Sequence, residues 1–305
     1  QFIGAIIKGM TGMGPVMDAV KVKKSWALKI FPVPGKSLED YKSAIIKGFE
    51  SKEIDCVVIM PEDLIYDGIV DELIDAGYGD QVIGLTREAA FIEGDKIKAK
   101  TWMKRAGVPV APFEVTDAKD LQQIKCIVTN FIRNHGGAVF KYPYSAGGKG
   151  SRIILNAWEI KEVYDTLIKD YKKNYKRRFG KNSEWPLLIE SRMSGVEISF
   201  NILIDKNGHF QILPTSMDYP ERFPGPASKD NPITGGMGSI SPHPMETPDL
   251  FEMTAENIVK PLIKALKEKN MLRPCLVYPG CFLTFDDNMV PTRIRVCEIN
   301  IRPPE

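Results

Sequence analysis

The most distinctive stretch of this 305-residue chain is residues 230–242, Asp-Asn-Pro-Ile-Thr-Gly-Gly-Met-Gly-Ser-Ile-Ser-Pro, and the fold expected for the chain rests on this stretch. Three glycines in four positions predict backbone that approaches a small ligand closely, because glycine has no side chain in the way. A flexible turn is the alternative. Residues 220–244 are rich in proline and glycine and predict a long structured loop, which is usually functional or disordered. The candidate ligand-contacting residues are Thr234, Gly235, Gly236, Met237 and Gly238.

A second glycine-rich stretch follows a short strand predicted at residues 138–142. Lys141 lies on that strand, where a lysine can bring a point charge to phosphates. The glycines let backbone approach phosphate oxygens and let the loop move as a lid. A tight hairpin with a solvated lysine explains the same residues equally well. The loop residues are Gly147, Gly148, Lys149 and Gly150.

Polar residues alternate on the second strand of a pair predicted at residues 280–285 and 294–299. Glu298 and Asn300 are two positions apart, so their side chains are expected on one face of the sheet. A carboxylate and an amide oxygen are hard ligands that suit Mg²⁺. A polar sheet face is the alternative. Arg302 continues the same face and offers a forked donor for a carboxylate or phosphate.

A further candidate segment begins where an apolar strand ends at Glu190. Its backbone can present hydrogen-bonding groups to a purine edge, and the carboxylate of Glu197 can meet ribose hydroxyls. On its own the segment is unremarkable. The residues that follow Glu190 are Ser191, Arg192 and Met193.

The first hundred residues alternate apolar runs with helical patterns, which predicts a parallel sheet with crossover helices. Strands are expected at 2–7, 56–60 and 81–85, and helices at 38–49, 69–76 and 86–107. The glycine-rich turn at 9–14 could bind phosphate, but its spacing is not GxGxxG. Further along, strands are expected at 187–190, 197–205 and 210–214, and helices at 118–134, 158–175 and 250–269.

Composition limits the class of protein. The formal net charge is +2, which gives no sign of a polyanion-binding surface, and the basic run at 172–178 is expected to be a solvated face. No apolar stretch approaches the roughly 18 residues that a membrane span needs. Five scattered cysteines without a CxxC pair fit a reducing cytoplasm. Lone histidines such as His243 are expected to be packing residues.

Together these motifs resemble the phosphoribosylamine–glycine ligase family of the ATP-grasp superfamily. Residues 230–242 are similar to that family's Pro-Asn-Thr-Gly-Gly-Met-Gly-x-x-Ser-Pro signature, and 213–218 to the strand end before it. Residues 84–96 resemble its Gly-Pro-Thr…Glu-Gly-Ser-Lys segment, and 61–71 its Pro-Glu-x-Pro-Leu…Gly-x-x-Asp region. The similarity runs from about Asp55 to Glu305.

The resemblance implies an α/β fold with a Rossmann-like N-terminal domain and an ATP-grasp fold made of a lid subdomain and an antiparallel-sheet core. The corresponding boundaries are 1–110, 111–189 and 190–305. It also implies roles for the candidate residues. The ATP phosphates would be contacted by Lys100, Lys141, Gly147, Gly148, Lys149 and Gly150. Adenine would be held by Glu190, Ser191, Arg192 and Met193, the ribose by Glu197, and Mg²⁺ or Mn²⁺ by Glu298 and Asn300. The substrate pocket would be lined by Asp218, Thr234, Gly235, Gly236, Met237, Gly238 and Arg302, with Asp218 and Arg302 acting in catalysis.

The implied activity is ATP-dependent ligation of glycine to 5-phosphoribosylamine through glycyl phosphate, in purine biosynthesis in the cytoplasm. The expected partners are therefore small molecules, without nucleic acid or membrane, for a monomer or homodimer. An ATP-grasp ligase for another acid or amine would share the lid and the metal face. A non-catalytic nucleotide-binding relative is the third possibility; retention of Lys141, Glu298 and Asn300 together argues against it.

The sequence departs from the family in three places. The Gly-Gly-Gly-Arg-Glu-His signature after the first strand is missing, so the phosphoribosyl group would need to be held in another way. The motif Arg-Phe-Gly-Asp-Pro-Glu is shortened to Arg302-Pro303-Pro304-Glu305. The family continues through a C-terminal subdomain, which is expected to be absent here.

Overall fold

A computed structural model describes residues 4–7, 28–31, 33, 37–60, 62–143, 151–179, 185–225, 231 and 233–303. The strands are β1 (Gly4–Ile7), β2 (Leu28–Phe31), β3 (Val57–Val58), β4 (Val82–Ile83), β5 (Phe113–Asp117), β6 (Ala138–Lys141), β7 (Ser151–Ile154), β8 (Pro186–Ser191), β9 (Val196–Ser199), β10 (Ile202–Ile204), β11 (Phe210–Ile212), β12 (Met217–Glu221), β13 (Ile233–Ile240), β14 (Cys275–Phe285) and β15 (Pro291–Asn300). The helices are α1 (Leu38–Glu50), α2 (Glu62–Asp67), α3 (Ile69–Asp75), α4 (Phe91–Gly94), α5 (Lys96–Ala106), α6 (Leu121–His135), α7 (Ile160–Phe179), α8 (Pro248–Thr254) and α9 (Lys260–Glu268), and a π-turn at Ala255–Val259 joins α8 to α9.

The described strands of the N-terminal part pair in parallel. β1 pairs with β2, and β3 pairs with β4, as two separate two-stranded sheets. Helix α1 begins at a capping box in which Ser37 and Asp40 satisfy each other's backbone N–H groups. Parallel pairing, with α2 and α3 between β3 and β4, agrees with the type of sheet expected here. A Rossmann-like domain over residues 1–110 stays a prediction, and the turn at 9–14 lies outside the described residues.

The single helix predicted at residues 86–107 is wrong, because the chain breaks at Asp95. Asp95 has an extended backbone, and its Oδ1 accepts the N–H groups of Ile97 and Lys98 at 3.1 and 3.0 Å. This N-cap starts α5 at Lys96. Lys96 and Lys100 are four residues apart, so they lie on one face of α5.

The smaller core belongs to a four-stranded antiparallel sheet in the order β5-β8-β6-β7. Helices α6 and α7 cover one face of this sheet, where Phe140 and Ile189 are buried. Side chains alternate across a strand. The neighbours Lys141 and Glu190 therefore lie on the opposite face, which is turned to the rest of the molecule. Strand β5 was not expected from the sequence.

The larger core joins the N-terminal helices to a second sheet in the order β11-β10-β14-β15, with β9 also paired to β14. Its buried residues come from 45–108 and from 198–301. Along β14, buried and half-buried residues alternate from Cys275 to Cys281, so one face packs on the core and the other is partly open to solvent. The strand predicted at 197–205 is interrupted between β9 and β10.

The long loop predicted at residues 220–244 is also wrong in part. Residues 233–240 form β13, which pairs antiparallel with β12 and has an irregularity between Tyr219 and Glu221. The ribbon brings Asp218 opposite Ser239 and next to β9. None of the helices in the described part of the chain is long and apolar enough to cross a membrane.

Candidate active site

A buried cluster of two lysines and one glutamate joins the small sheet to α5. Lys100 Nζ lies 3.1 Å from Glu190 Oε1, and Lys141 Nζ lies 2.9 Å from Glu190 Oε2. The three side chains are only 3%, 7% and 1% exposed for Lys100, Lys141 and Glu190. Two ammonium groups face one carboxylate, so the cluster keeps an excess positive charge beside the cleft.

Burial and the mutual charges of the cluster shift its pKa values in different directions. Burial lowers the pKa of Lys100, and the nearby charge of Lys141 adds to that effect. Burial alone would raise the pKa of Glu190, but the two lysines outweigh it and the pKa is lowered. As for Lys100, burial by itself would lower the pKa of Lys141, but interactions with Cys297 and Glu190 outweigh burial and the pKa of Lys141 is raised.

The cluster is also tied to β15. Lys100 Nζ donates to the Val296 carbonyl oxygen at 3.0 Å, and Lys141 Nζ donates to the sulfur of Cys297 at 3.3 Å. Cys297 is not among the site residues predicted from the sequence. Strict alternation would turn its side chain away from the face of Glu298, but the pairing of β15 with β14 shifts register at Cys297. Strand alternation therefore offered no signal for this residue.

The candidate metal ligands occupy the next positions of β15. Glu298 Oε2 lies 2.8 Å from Lys96 Nζ, and the Glu298 side chain is 41% exposed. The charge of Lys96 is the main cause that lowers the pKa of Glu298 to about 2. Asn300 donates from Nδ2 to the Tyr278 carbonyl oxygen at 3.5 Å. Ile299, between them, is buried on the other face. The structure thus places Glu298 and Asn300 in one small cleft together with Lys96, Lys100, Lys141 and Glu190.

Two oxygen atoms at this place are free to bind a divalent cation. Glu298 is ionised, and within the described chain its Oε1 and the Oδ1 of Asn300 accept no hydrogen bond. Among the described residues no cluster of three His, Cys, Asp or Glu side chains is arranged to hold a metal. Mg²⁺ usually keeps waters and substrate phosphates as ligands and needs one or two protein carboxylates. Glu298 and Asn300 therefore fit Mg²⁺ bound together with a nucleotide.

An acidic surface continues from Glu298 across the sheet. Ser199 on β9 and Glu298 on β15 both pair with Gly280, from opposite sides of β14. A Cβ added at Gly280 would have no heavy atom of another described residue within 4 Å, so the sheet has an open floor there. Asp218 and Glu197 stand beside this floor. Neighbouring atoms that exclude water from the carboxylate, together with repulsion from Asp218 and Glu298, raise the pKa of Glu197 to about 7, although the residue reaches solvent.

Glu197 is positioned by the backbone around it. Gly195 has a φ of +125°, and a Cβ there would lie 2.0 Å from the Leu283 carbonyl oxygen, so only glycine allows β9 to approach β14 in this way. His243 is buried and its Nε2 lies 3.2 Å from the Glu197 carbonyl oxygen, while its Nδ1 accepts from the Met245 N–H at 2.9 Å. These contacts are with backbone, as expected for a packing histidine.

The segment after Glu190 uses part of its backbone within the chain. The N–H of Ser191 donates to the Pro112 carbonyl oxygen, and the N–H of Arg192 donates to the Gly137 carbonyl oxygen, each at 2.9 Å. In the described residues the N–H of Met193 has no such partner, so it is available to a ligand. The buried Ser191 hydroxyl also lacks a hydrogen-bond partner there.

Arg302 lies in a bend after the end of β15. Its Nε donates to Glu93 Oε1 at 2.9 Å and its Nη2 to Glu62 Oε2 at 2.8 Å. Glu93 Oε2 also accepts the N–H of Ile301 at 2.9 Å. Burial raises the pKa of Glu93 despite the charge of Arg302. The guanidinium therefore links the end of β15 to α2 and α4 through ion pairs. Contact of Arg302 with a substrate anion stays a prediction.

Several predicted site residues are described in part or not at all. Gly147, Gly148, Lys149 and Gly150 lie outside the described residues. The backbone of Thr234, Gly235, Gly236, Met237 and Gly238 runs along β13, and Met237 is 59% exposed. This glycine-rich stretch is therefore a strand beside Asp218 and not a free turn.

A four-stranded sheet backed by helices, a larger second sheet and a cation cluster between them make up an ATP-grasp fold. Phosphoribosylamine–glycine ligase from Thermotoga maritima matches with a TM-score of 0.65 at 21% identity, over 98% of this chain and 69% of that one. The biotin carboxylase domain of 2-oxoglutarate carboxylase from Hydrogenobacter thermophilus matches with a TM-score of 0.62 at 21% identity, over 98% and 58%. At these identities the likeness shows the fold alone.

Sequence comparison gives the family. The model of the phosphoribosylglycinamide synthetase ATP-grasp (A) domain matches residues 94–304, and the chain belongs to this family. Phosphoribosylamine–glycine ligase from Caldanaerobacter subterraneus subsp. tengcongensis is 31% identical over 232 residues, 76% of this chain and 51% of that protein. The enzyme of the same name from Archaeoglobus fulgidus is 25% identical, over 90% and 61%. The chain thus spans about half the length of these relatives, and the expected family is confirmed.

Proposed function

We propose that this chain ligates glycine to 5-phosphoribosylamine with ATP, giving glycinamide ribonucleotide, ADP and phosphate. The observation that carries the proposal is the convergence of Lys100, Lys141, Glu298 and Asn300 on one cleft between the four-stranded sheet β5-β8-β6-β7 and the larger core. Family membership and relatives named phosphoribosylamine–glycine ligase support the choice of substrates. The five free thiols fit the reducing cytoplasm, where we place the activity.

ATP would bind across the cleft. The excess positive charge of the lysine cluster would meet the phosphates. The free N–H of Met193 would meet the purine edge, and Glu197 would accept hydrogen bonds from the ribose hydroxyls. Mg²⁺ or Mn²⁺, held by Glu298 and Asn300, would neutralise charge on the phosphate oxygens. Lys96 holds Glu298 ionised and oriented, so this ligand needs no rearrangement before a nucleotide arrives.

The reaction would proceed in two steps. A carboxylate oxygen of glycine attacks the γ-phosphorus, the bond to the bridging oxygen of ADP breaks, and glycyl phosphate forms. The amine of 5-phosphoribosylamine then attacks the acyl carbon, phosphate leaves and the nitrogen gives its proton to solvent. Neither step requires a nucleophilic side chain, so the chain contributes positioning and electrostatic stabilisation.

The acid would lie on the open floor at Gly280, between Asp218 and the metal ligands. Asp218 would bind the amino group of glycine. The glycine-rich backbone of β13, which pairs with the strand of Asp218, would pack against the bound acid and exclude a larger substrate side chain. One added methyl group in a close-packed site costs about 1–3 kcal/mol. We therefore expect alanine to be used roughly ten- to two-hundredfold less well than glycine.

The test is ADP release with each substrate alone and with all three together. Acetate, alanine and β-alanine replace glycine at equal concentration, and 5-phosphoribosylamine is generated in place. The proposal predicts ADP formation that requires glycine and is greatest with both co-substrates. A larger acid that equals glycine would point to a different ligase. ATP binding without turnover on any acid would point to a nucleotide-binding relative.

A further inference from the structure

Two hydroxyl groups hold the same oxygen of Asp218. Tyr278 Oη donates to Asp218 Oδ2 at 2.7 Å, and Ser199 Oγ donates to the same oxygen at 3.0 Å. The three residues come from separate strands: β12, β14 and β9. Among the described residues no hydrogen bond reaches the other oxygen, Oδ1. The carboxylate is therefore fixed from one side and presents one unpartnered oxygen.

The surroundings of Asp218 favour a cation at that unpartnered oxygen. Tyr278 and Gly280 alternate on the half-buried face of β14, so the phenol stands at the edge of the open floor. Glu197 and Glu298 border the same floor, and the charge of Asp218 contributes to the raised pKa of Glu197. A positively charged group at this place would relieve the repulsion between the carboxylates.

The phenol is suited to hold a carboxylate. Burial, and then the charge of Asp218, raise the pKa of Tyr278, so the hydroxyl stays protonated and remains a donor. An ionised carboxylate only accepts hydrogen bonds, and two donors on one oxygen restrict its rotation. A free aspartate side chain would have to lose that rotational freedom when substrate binds.

We propose that Tyr278, together with Ser199, is a positioning residue that orients Asp218 to receive the primary amine of the acid substrate, and so selects amine-bearing acids. This inference rests on the proposed function and deepens it. Neither residue need touch the reacting atoms. Their effect is expected in the affinity for the amine-bearing substrate and not in the use of ATP.

The experiment is steady-state ADP formation by the full chain and its Tyr278→Phe variant. The substitution removes the hydroxyl and keeps the ring. The loss of one hydrogen bond to a charged group lowers affinity by about 10- to 100-fold. We expect KM for glycine to rise by that factor, with kcat and KM for ATP within about twofold. Ser199→Ala should act in the same direction, and the double variant should exceed either single variant.

Tyr78→Phe is the matched control, because it removes the same hydroxyl group from a tyrosine in the N-terminal part of the chain. There Tyr78 stacks on Phe49, with ring centroids 5.0 Å apart. It should leave KM for glycine unchanged. A variant that merely disturbs the fold would lower the melting temperature and change kcat and both KM values together, and this result would overturn the inference.

The outcomes also separate this inference from the proposed function. If wild type uses glycine and Tyr278→Phe does not change KM for glycine, the positioning role is overturned and the ligase stands. If the wild-type protein uses another amine-bearing acid and not glycine, the proposed glycine ligation is wrong. A raised KM for that acid in the Tyr278→Phe variant would then still support the positioning role. If only acids without an amine are used, both proposals are overturned.

Discussion

Glu190→Gln tests the cation cluster most sharply, because it keeps the volume of the side chain and removes the charge. Two ammonium groups that are 3% and 7% exposed would lose their counter-charge. Removing one partner of a buried ion pair costs about 3–5 kcal/mol. Glutamine still accepts one hydrogen bond, so we expect the lower end, about 3 kcal/mol. For a chain of this size that is a fall in melting temperature of about 5 °C.

The pH dependence of this loss has a definite sign. The pKa of Glu190 is lowered in the folded chain, so its contribution is present above the unfolded value and is lost as pH falls through the folded pKa. The pKa of Lys100 is also lowered, and losing Glu190 lowers it further. A lysine with a depressed folded pKa binds fewer protons when folded, so stability of the variant rises with pH as Lys100 becomes neutral.

The assay is thermal unfolding of wild type and Glu190→Gln at about pH 5, pH 7 and pH 9. The difference in melting temperature should be large near neutrality and narrow toward pH 9. Glu114→Gln is the control, because Glu114 is an exposed carboxylate on β5 of the same sheet. It should change stability by no more than about 0.5 kcal/mol. Equal melting temperatures for the two variants at neutral pH would show that the charge of Glu190 does not stabilise the cluster.

Three further predictions concern the cleft and its frame. Glu298→Gln should keep the fold but lower turnover by about 10²–10³, since one ligand charge is lost. It also removes the ion pair with Lys96, so the melting temperature should fall as well. Binding of Mn²⁺ to the nucleotide complex, followed by electron paramagnetic resonance, should weaken, and unchanged binding would remove Glu298 from the metal site. The Gly280→Val variant should fold, because a Cβ at this position meets no other described residue within 4 Å. It should lose most turnover, because the added side chain fills the open floor, and full activity would place the acid substrate elsewhere. Arg302→Lys should lower the free energy of unfolding by about 1–3 kcal/mol, measured with a chemical denaturant, since lysine cannot bind both carboxylates as the guanidinium does. An unchanged unfolding midpoint would contradict the structural role of Arg302.

Local patterns in the sequence predicted the parts of the site that depend on neighbouring residues. Alternation alone placed Glu298 and Asn300 on one face of a strand, with buried Ile299 on the other. The ATP-grasp fold and the family followed from motifs and are confirmed by the comparisons. The break at Asp95 was predictable in principle, because aspartate before a helical pattern is a favoured N-cap.

Other features depend on contacts between distant parts of the chain. Lys96 and Glu298 are 202 residues apart, and Lys100 and the Val296 carbonyl are 196 apart, so no local pattern reports either contact. Strand β13 carries three glycines, which have low strand propensity, and it forms because β12 pairs with it. Glu190 was expected at adenine because it ends a strand, and its ion pairs became visible only once α5 and β6 were brought together.

We propose that glycine is activated as glycyl phosphate in this cleft. The experiment uses glycine labelled with oxygen-18 in both carboxylate oxygens, together with ATP and 5-phosphoribosylamine, and mass spectrometry of the released phosphate. We expect one labelled oxygen in each phosphate, because the oxygen that attacks the γ-phosphorus leaves with it when the amide forms. Amide product accompanied by unlabelled phosphate would show that glycyl phosphate is not an intermediate.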